Sequence, residues 1–240
     1  MTAMWVVVPA YNEAAHIERT LAHLAAQTDR DFTLLIVDNG STDDTAALVR
    51  ACAGIAVRLL VEGEKGVGCA VDTGFRHAID HGATMLLRTD ADCLPHPGWV
   101  AAARAALDGG AGMVCGRIRA RRDENGPAAR AAFRVLVVLA ATFGRLRPAN
   151  RGGFLAPYRM HAGNNMAITA ALYLAVGGMP RRPSPTDRTF LNRVRRHTAA
   201  ISRSRTMVVE NSTRRLRAYG MLGTARWYLD RGSHLTADPR

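Results

Sequence analysis

Two aspartates one residue apart, Asp90 and Asp92, close the run Leu86-Leu87-Arg88-Thr89-Asp90-Ala91-Asp92. Ala83 to Leu87 reads as a short buried strand. In extended chain, residues i and i+2 point the same way. The two carboxylates can therefore face one point just past the strand's carboxyl end, the edge where ligands sit in open α/β sheets. Held close, they repel unless something positive lies between them. A divalent cation such as Mg2+ or Mn2+ is the simplest candidate, because such ions take one or two carboxylates with phosphate oxygens and waters. The same spacing also describes a polar strand-to-loop turn, where Asp is common.

The elements that would position these residues alternate. Trp5 to Val8 is a compact apolar strand ended by Pro9-Ala10-Tyr11-Asn12-Glu13. Asn12 can cap a helix carrying Ile17, Leu21 and Leu24. Phe32 to Val37 is a second strand, followed by Asp38-Asn39-Gly40-Ser41-Thr42-Asp43-Asp44, in which Ser41 and Asp44 have capping-box spacing. Ala56 to Val61 is a third strand. Lys65-Gly66-Val67-Gly68 then leads into a helix through Ala70, Phe75 and Ile79. Those two glycines could cradle phosphate, but a dinucleotide fingerprint needs a third, so a plain turn is the first reading. Strand and helix thus alternate up to Thr89, which implies a mostly parallel sheet with right-handed crossovers. Tyr11, Glu13, Asp38, Asp90 and Asp92 all fall in loops at the strands' carboxyl ends.

Downstream, Pro97 opens a helix with Trp99, Val100 and Leu107 on its apolar face, and Met113 to Ile118 reads as a strand. Ala128 to Leu146 is apolar enough for a helix. Core packing is the expectation for it, with membrane-surface contact a secondary reading because a clean basic amphipathic pattern is lacking. Arg147 to Tyr158 is a long connection of the kind that forms active-site flaps. Gly163 to Ile168 leads into a helix from Thr169 to Val176. Thr186-Asp187 starts another, where Asp is ordinarily a cap. Ser204 to Glu210 is a strand, and the remainder is Arg-rich with a helical stretch near Leu222 to Leu229.

The 240 residues suit one α/β domain with an appendage, and 48% hydrophobic content suffices for a core. No signal peptide is expected at Met1 to Val8, and the apolar run Val135 to Phe143 is short of the roughly 20 residues that span a bilayer. Cys52, Cys69, Cys93 and Cys115 are scattered, which argues for reduced thiols in the cytoplasm and against a zinc site. Charge is uneven. Residues 1–110 hold 8 Lys and Arg against 14 Asp and Glu, whereas residues 111–240 hold 24 against 6. The basic half could meet nucleic acid, an anionic membrane or phosphorylated ligands, or reflect only an arginine-rich solvated surface. Nucleic acid is the weakest of these, since no helix-turn-helix, zinc finger or aromatic sheet motif accompanies the charge.

Four blocks together carry a resemblance. Val7 to Glu13, Val37 to Thr45, Thr89 to Asp92, and Val176-Gly177-Gly178-Met179 with Thr186-Asp187 resemble, in order and spacing, the family 2 glycosyltransferases. The resemblance implies a single Rossmann-like nucleotide-diphospho-sugar transferase (GT-A) domain, a mostly parallel central sheet flanked by helices, over residues 1–212. Residues 1–110 would be its nucleotide-sugar-binding half and 111–212 its acceptor half, with a basic helical tail at 213–240. It implies that Asp38 bonds the nucleotide base, with Pro9, Ala10, Tyr11, Glu13 and Lys65 around the same pocket. Asp90 would contact ribose or metal, beside Ala91, and Asp92 would hold the Mg2+ or Mn2+ that bridges the diphosphate. Asp187 would be the general base.

The implied reaction is an inverting transfer from a nucleotide-diphospho-sugar, UDP-sugar first and GDP-sugar second, to a small-molecule, glycan or lipid-linked acceptor. The hydroxyl attacks the anomeric carbon opposite the leaving diphosphate. Asp, with a reference pKa of about 3.9, is ionised at neutral pH and takes the proton as the new bond makes it acidic. The implied location is cytoplasmic, with peripheral contact at the inner membrane face. Departures from the family pattern stand at Asn39, where a second Asp is usual, and at Ala70 to Gly74, which lacks the usual Arg and Asn. Thr186 replaces Glu, and Glu210-Asn211-Ser212 stands where a His ligand is common, leaving Glu210, water or His161 for that position. A nucleotidyltransferase would need a Gly-rich basic signature near the first strand, which Ala10 to Glu13 lacks. A degenerate fold acting as a basic binding module is the non-enzymatic alternative.

Overall fold

A computed structural model describes residues 3–146, 152–158, 162–181, 186–214, 216, 218 and 220. One eight-stranded sheet runs through it in the order β3-β2-β1-β4-β7-β6-β8-β5. Its strands are β1 (Met4–Ala10), β2 (Thr33–Asp38), β3 (Val57–Val61), β4 (Met85–Thr89), β5 (Cys93–Pro95), β6 (Met113–Ala120), β7 (Asn165–Thr169) and β8 (Ile201–Asn211). The expected parallel half is present: β3, β2, β1 and β4 pair in parallel. β7 enters antiparallel between β4 and β6, β8 pairs parallel with β6, and β5 caps β8 antiparallel.

Every residue of β1 is buried, as a central strand covered on both faces requires. Its alternate side chains feed two cores. Val6 and Val8 join Ile17, Leu21 and Leu24 of α1 (Ile17–Ala25) and Trp99 and Val100 of α4 (Trp99–Asp108). Trp5 and Val7 join Val71 and Phe75 of α3 (Val67–Asp80), Tyr173 of α6 (Ala170–Ala175) and Phe190 of α7 (Thr186–His197). Between α1 and α3 lies the short α2 (Thr45–Arg50). Gly74 lets α3 lie this close, because a Cβ there would sit 2.5 Å from Val7 Cγ1 and 2.8 Å from Val37 Cγ2.

Several expectations are corrected. Asn12 does not cap α1, which starts at Ile17. It adopts a left-handed φ of 52° and its Oδ1 accepts the Thr42 N–H instead. Ser41 forms no capping box, because its hydroxyl donates to Asp38. The lead into the expected helix is itself a strand, Asn165 to Thr169, and the helix follows it directly as α6, capped by Thr169. A short fully buried apolar run has no period that separates the two.

Asn165 is the polar hub of this second half. Its Nδ2 donates to the Arg117 and Met207 carbonyls, and its Oδ1 accepts from the Trp99 indole. The β6–β8 register shifts between Cys115 and Arg117, so the amide there fills the gap in the ladder.

The largest correction concerns α5 (Pro127–Leu146). It is a 20-residue helix, as expected, but it is not in the core: Val135, Val138, Leu139, Phe143 and Leu146 are all exposed. By length and composition alone it is the one helix among the described residues that could cross a membrane, so the run Val135 to Phe143 understated it. His161 and the helical stretch near Leu222 to Leu229 lie outside the described residues, as do 147–151 of the proposed flap.

Candidate active site

The carboxyl ends of β1, β2 and β4 finish side by side. Ala10 pairs with Asp38, and the Asn39 N–H donates to the Ala10 carbonyl. The loops that follow are laced together. Backbone N–H groups of Asn12, Glu13 and Ala14 donate to Ser41, Thr45 and Asp43. Asp38 Oδ1 accepts from the Ser41 N–H at 3.0 Å and its hydroxyl at 2.5 Å. Asn39 explains its own departure from Asp. Its Nδ2 donates to the carbonyls of Glu62 and Glu64 while its Oδ1 accepts from the Gly66 N–H. A carboxylate has no proton to give those carbonyls. Lys65 Nζ donates to the carbonyls of Asn39 and Gly40 and lies 4.0 Å above the Tyr11 ring. Pro9, Ala10, Tyr11, Glu13, Asp38 and Lys65 thus share one edge.

The second cluster turns on a residue that the sequence reading passed over. Arg88, on β4, is 2% exposed, and its guanidinium reaches two carboxylates. It bonds Asp90 Oδ1 through Nη2 at 3.0 Å and Nε at 3.1 Å, and Asp187 Oδ1 through Nη1 at 2.9 Å. Asp187, in the first turn of α7, is thereby held beside the strand end across 99 residues of sequence. Gly163 makes room for it, since a Cβ there would lie 2.2 Å from the Asp187 carboxylate. Burial pushes the Asp90 carboxyl up, with Asp92 and Asp187 adding to the push and Arg88 opposing it. The signal was present: an arginine directly after Met85-Leu86-Leu87 had to find a partner if the strand was buried.

Asp92 faces cations too. Arg214 Nη2 lies 3.1 Å from Asp92 Oδ2 while the same guanidinium clasps both oxygens of Glu13, at 2.8 and 2.6 Å. Arg121, also buried, donates to the Asp92 carbonyl and to Asp123. Burial, with Asp92 and Asp90 adding to it, holds the Cys93 thiol well above its usual range, and that protonated thiol donates to Asp92 Oδ1. Burial keeps His16 low, and Arg214 and Arg121 push it the same way.

The departure at Ala70 to Gly74 is built into the core. Val71 is fully buried and Asp72 accepts from Tyr173 and Arg76. A guanidinium nevertheless reaches this helix: Arg181 bonds Thr73, Glu62 and Glu64.

A hard divalent cation suits the donor types. Asp90 and Asp92 offer carboxylate oxygen, and buried Thr89 Oγ1, Asn164 Oδ1 and Asn211 Oδ1 have no hydrogen-bond partner among the described residues. Asn211 stands opposite Cys93 in the ladder, and Asn164 donates to its sulfur. Unsatisfied buried oxygens call for a water or an ion. Among the described residues no three His, Cys, Asp or Glu side chains form a metal cluster. Glu210 is engaged by His96 and Arg122.

The Glycosyl transferase family 2 profile matches residues 5–165, and the chain belongs to that family. It is 32% identical over 130 residues to glycosyltransferase AglE of Haloferax volcanii, covering 52% of this chain and 42% of that protein. It is 36% identical over 109 residues to validoxylamine A glucosyltransferase of Streptomyces hygroscopicus subsp. jinggangensis, covering 43% of this chain and 25% of that protein. The chain thus matches less than half the length of these relatives. Mannosyltransferase PcManGT of Pyrobaculum calidifontis, solved with GDP-Man and Mn2+, superposes with TM-score 0.66 and 25% identity over 97% of this chain and 61% of that one. S. aureus TarS 1-349 with UDP-GlcNAc gives TM-score 0.63 and 17% identity over 89% and 59%. The fold is that of GT-A glycosyltransferases.

Replacing Arg88 by Met strands two carboxylates. The expected loss is about 3 kcal/mol of unfolding free energy, the lower end for breaking a buried pair because both carboxylates touch solvent, read from urea unfolding. Arg121 holds the Asp123 carboxyl at about 2, below its ordinary 3.8. A carboxyl lowered on folding stabilises fully above about pH 4 and progressively less as pH falls. Asp123→Asn should therefore lower the Tm at pH 7, and its deficit against wild type should close between about pH 4 and pH 2.

Proposed function

We propose that this chain catalyses inverting transfer of a sugar from a nucleoside-diphosphate sugar to an acceptor hydroxyl, with Asp187 as the general base. The observation that supports it most is Arg88 holding Asp187 and Asp90 with one guanidinium. One guanidinium so brings the proposed base and a donor-side carboxylate to the same strand end, where an acceptor hydroxyl and a donor would meet. Ala10, Tyr11, Glu13 and Asp38 then bind the nucleotide, Asp38 reading the base with its carboxylate oriented by Ser41. A UDP-sugar is our first donor and a GDP-sugar the second; the structural neighbours hold UDP-GlcNAc, GDP-Man and UDP-Glc. The acceptor is a small molecule, a glycan or a lipid-linked sugar. The four cysteines are free thiols, which suits a cytoplasmic setting.

Asp92 with Asp90 would hold Mg2+ or Mn2+, and such an ion neutralises charge that builds on a leaving diphosphate. Arg214 occupies Asp92 Oδ2 and Glu13 at the same edge. A divalent ion bound through Asp92 Oδ2 would displace it, leaving a guanidinium free to meet the diphosphate. Arg88 aims Asp187, and the hydroxyl proton passes to it late, as the oxygen bonds to carbon.

Asp187→Asn should lower turnover by about 10^2 to 10^4, the span of general-base contributions, with UDP binding by calorimetry unchanged. Near-normal release of nucleoside diphosphate from that variant would remove Asp187 from the role. Arg214→Ala should tighten Mn2+ binding in the absence of nucleotide by about tenfold, or ~1.4 kcal/mol. Electron paramagnetic resonance of free Mn2+ reads this, and unchanged binding would place the cation elsewhere than Asp92.

A further inference from the structure

We infer that α5 lies flat on an anionic lipid surface, with its outward face in the bilayer interface. Val135, Val138, Leu139, Thr142, Phe143 and Leu146 recur at i, i+3, i+4, i+7, i+8 and i+11, which places them on one stripe of a helix. That stripe points outward: Val135 is 53%, Val138 58%, Phe143 63% and Leu146 54% exposed. Core helices of soluble domains carry the reverse pattern, and a contiguous exposed apolar patch marks an interaction site. Phe133, Val137 and Gly144 take the opposite side, which is the better covered one, and Gly144 is packed against the Tyr158 ring.

Charge selects the partner. Arg130, Arg134 and Arg145 are exposed and, at 100° per residue, fall together along one flank of the apolar stripe. α5 itself holds no acidic residue. Residues 111–240 carry 24 basic against 6 acidic residues, so the half of the chain that bears α5 is cationic. Apolar side chains bordered by arginines whose stems can snorkel are the composition of a helix that lies in the headgroup region of anionic lipid. A groove of about 500 Å3 at the end of the helix extends the patch. Arg145, Phe154, Leu155 and Tyr158 line it, and Leu155 is itself 63% exposed.

The geometry favours lying over crossing. A 20-residue helix is about 30 Å long, so a spanning helix would set its two ends on opposite sides of the membrane. Here both ends return to one domain. The preceding turn is fixed by Asn125 and Glu124 to Arg121 and Thr213, and the last turn rests on Tyr158, whose ring lies against Arg195 of α7. This inference stands apart from the transfer chemistry and survives if that reading fails.

The test uses the full chain and vesicles of phosphatidylcholine with or without phosphatidylglycerol. Wild type should sediment with the anionic vesicles and remain in solution with the neutral ones. A Val138→Asp/Phe143→Asp variant, changed only on the exposed face, should melt like wild type and lose at least tenfold in partitioning. Arg134→Gln/Arg145→Gln should weaken it and flatten its salt dependence. No sedimentation of wild type, or equal sedimentation of the aspartate variant, would overturn the inference. So would a wild-type dimer in light scattering that the aspartate variant converts to monomer, since a second copy would then cover the face. Retention of wild type on vesicles through an alkaline carbonate wash would overturn the flat geometry in favour of crossing.

Discussion

A single guanidinium, that of Arg88, sits without solvent between two carboxylates on different parts of the chain. A buried cation with no partner is among the most expensive arrangements a fold can hold, so Asp90 and Asp187 are held in place by the need to neutralise it. Neither aspartate is fully buried; each keeps a solvent-facing side. The pair is therefore anchored from below and open above, the condition for a carboxylate to be both positioned and reactive. Gly163 completes the arrangement by having no Cβ where the Asp187 carboxylate lies.

Arginine is used the same way elsewhere along this edge. Arg214 clasps Glu13 and touches Asp92, Arg121 holds the Asp92 carbonyl and Asp123, and Arg181 ties Glu62 and Glu64 to Thr73 of α3. The acidic first half and the basic second half of the chain are thus not two separate surfaces. Two arginines of the second half, Arg214 and Arg181, meet carboxylates of the first: Glu13 and Asp92, and Glu62, Glu64 and Asp72. What positive charge is left over includes the arginines of α5, on a helix with no carboxylate of its own.

Part of this was legible from residue order. Alternating strand and helix, with acidic or polar residues after β1, β2 and β4, placed Glu13, Asp38, Asp90 and Asp92 on one edge, because parallel crossovers always return the chain to the same end. The buried arginine was also visible, as a charge inside an apolar strand, and was passed over for the aspartates that follow it. β7 was not legible. Asn165 to Thr169 is too short to show a period, and its place between β4 and β6 is a choice among strands far apart in sequence.

The sequence by itself determined the elements whose cause is local. These are the apolar runs of the parallel strands, the helices between them, and the carboxylates at their ends. Tertiary structure alone decided which charges meet. Arg88 with Asp187 and Glu13 with Arg214 are separated by 99 and 201 residues. It also decided which face of α5 looks outward. An apolar helix has the same local reason to form whether it is buried or bare, and only the packing of the remaining chain determines whether anything covers it.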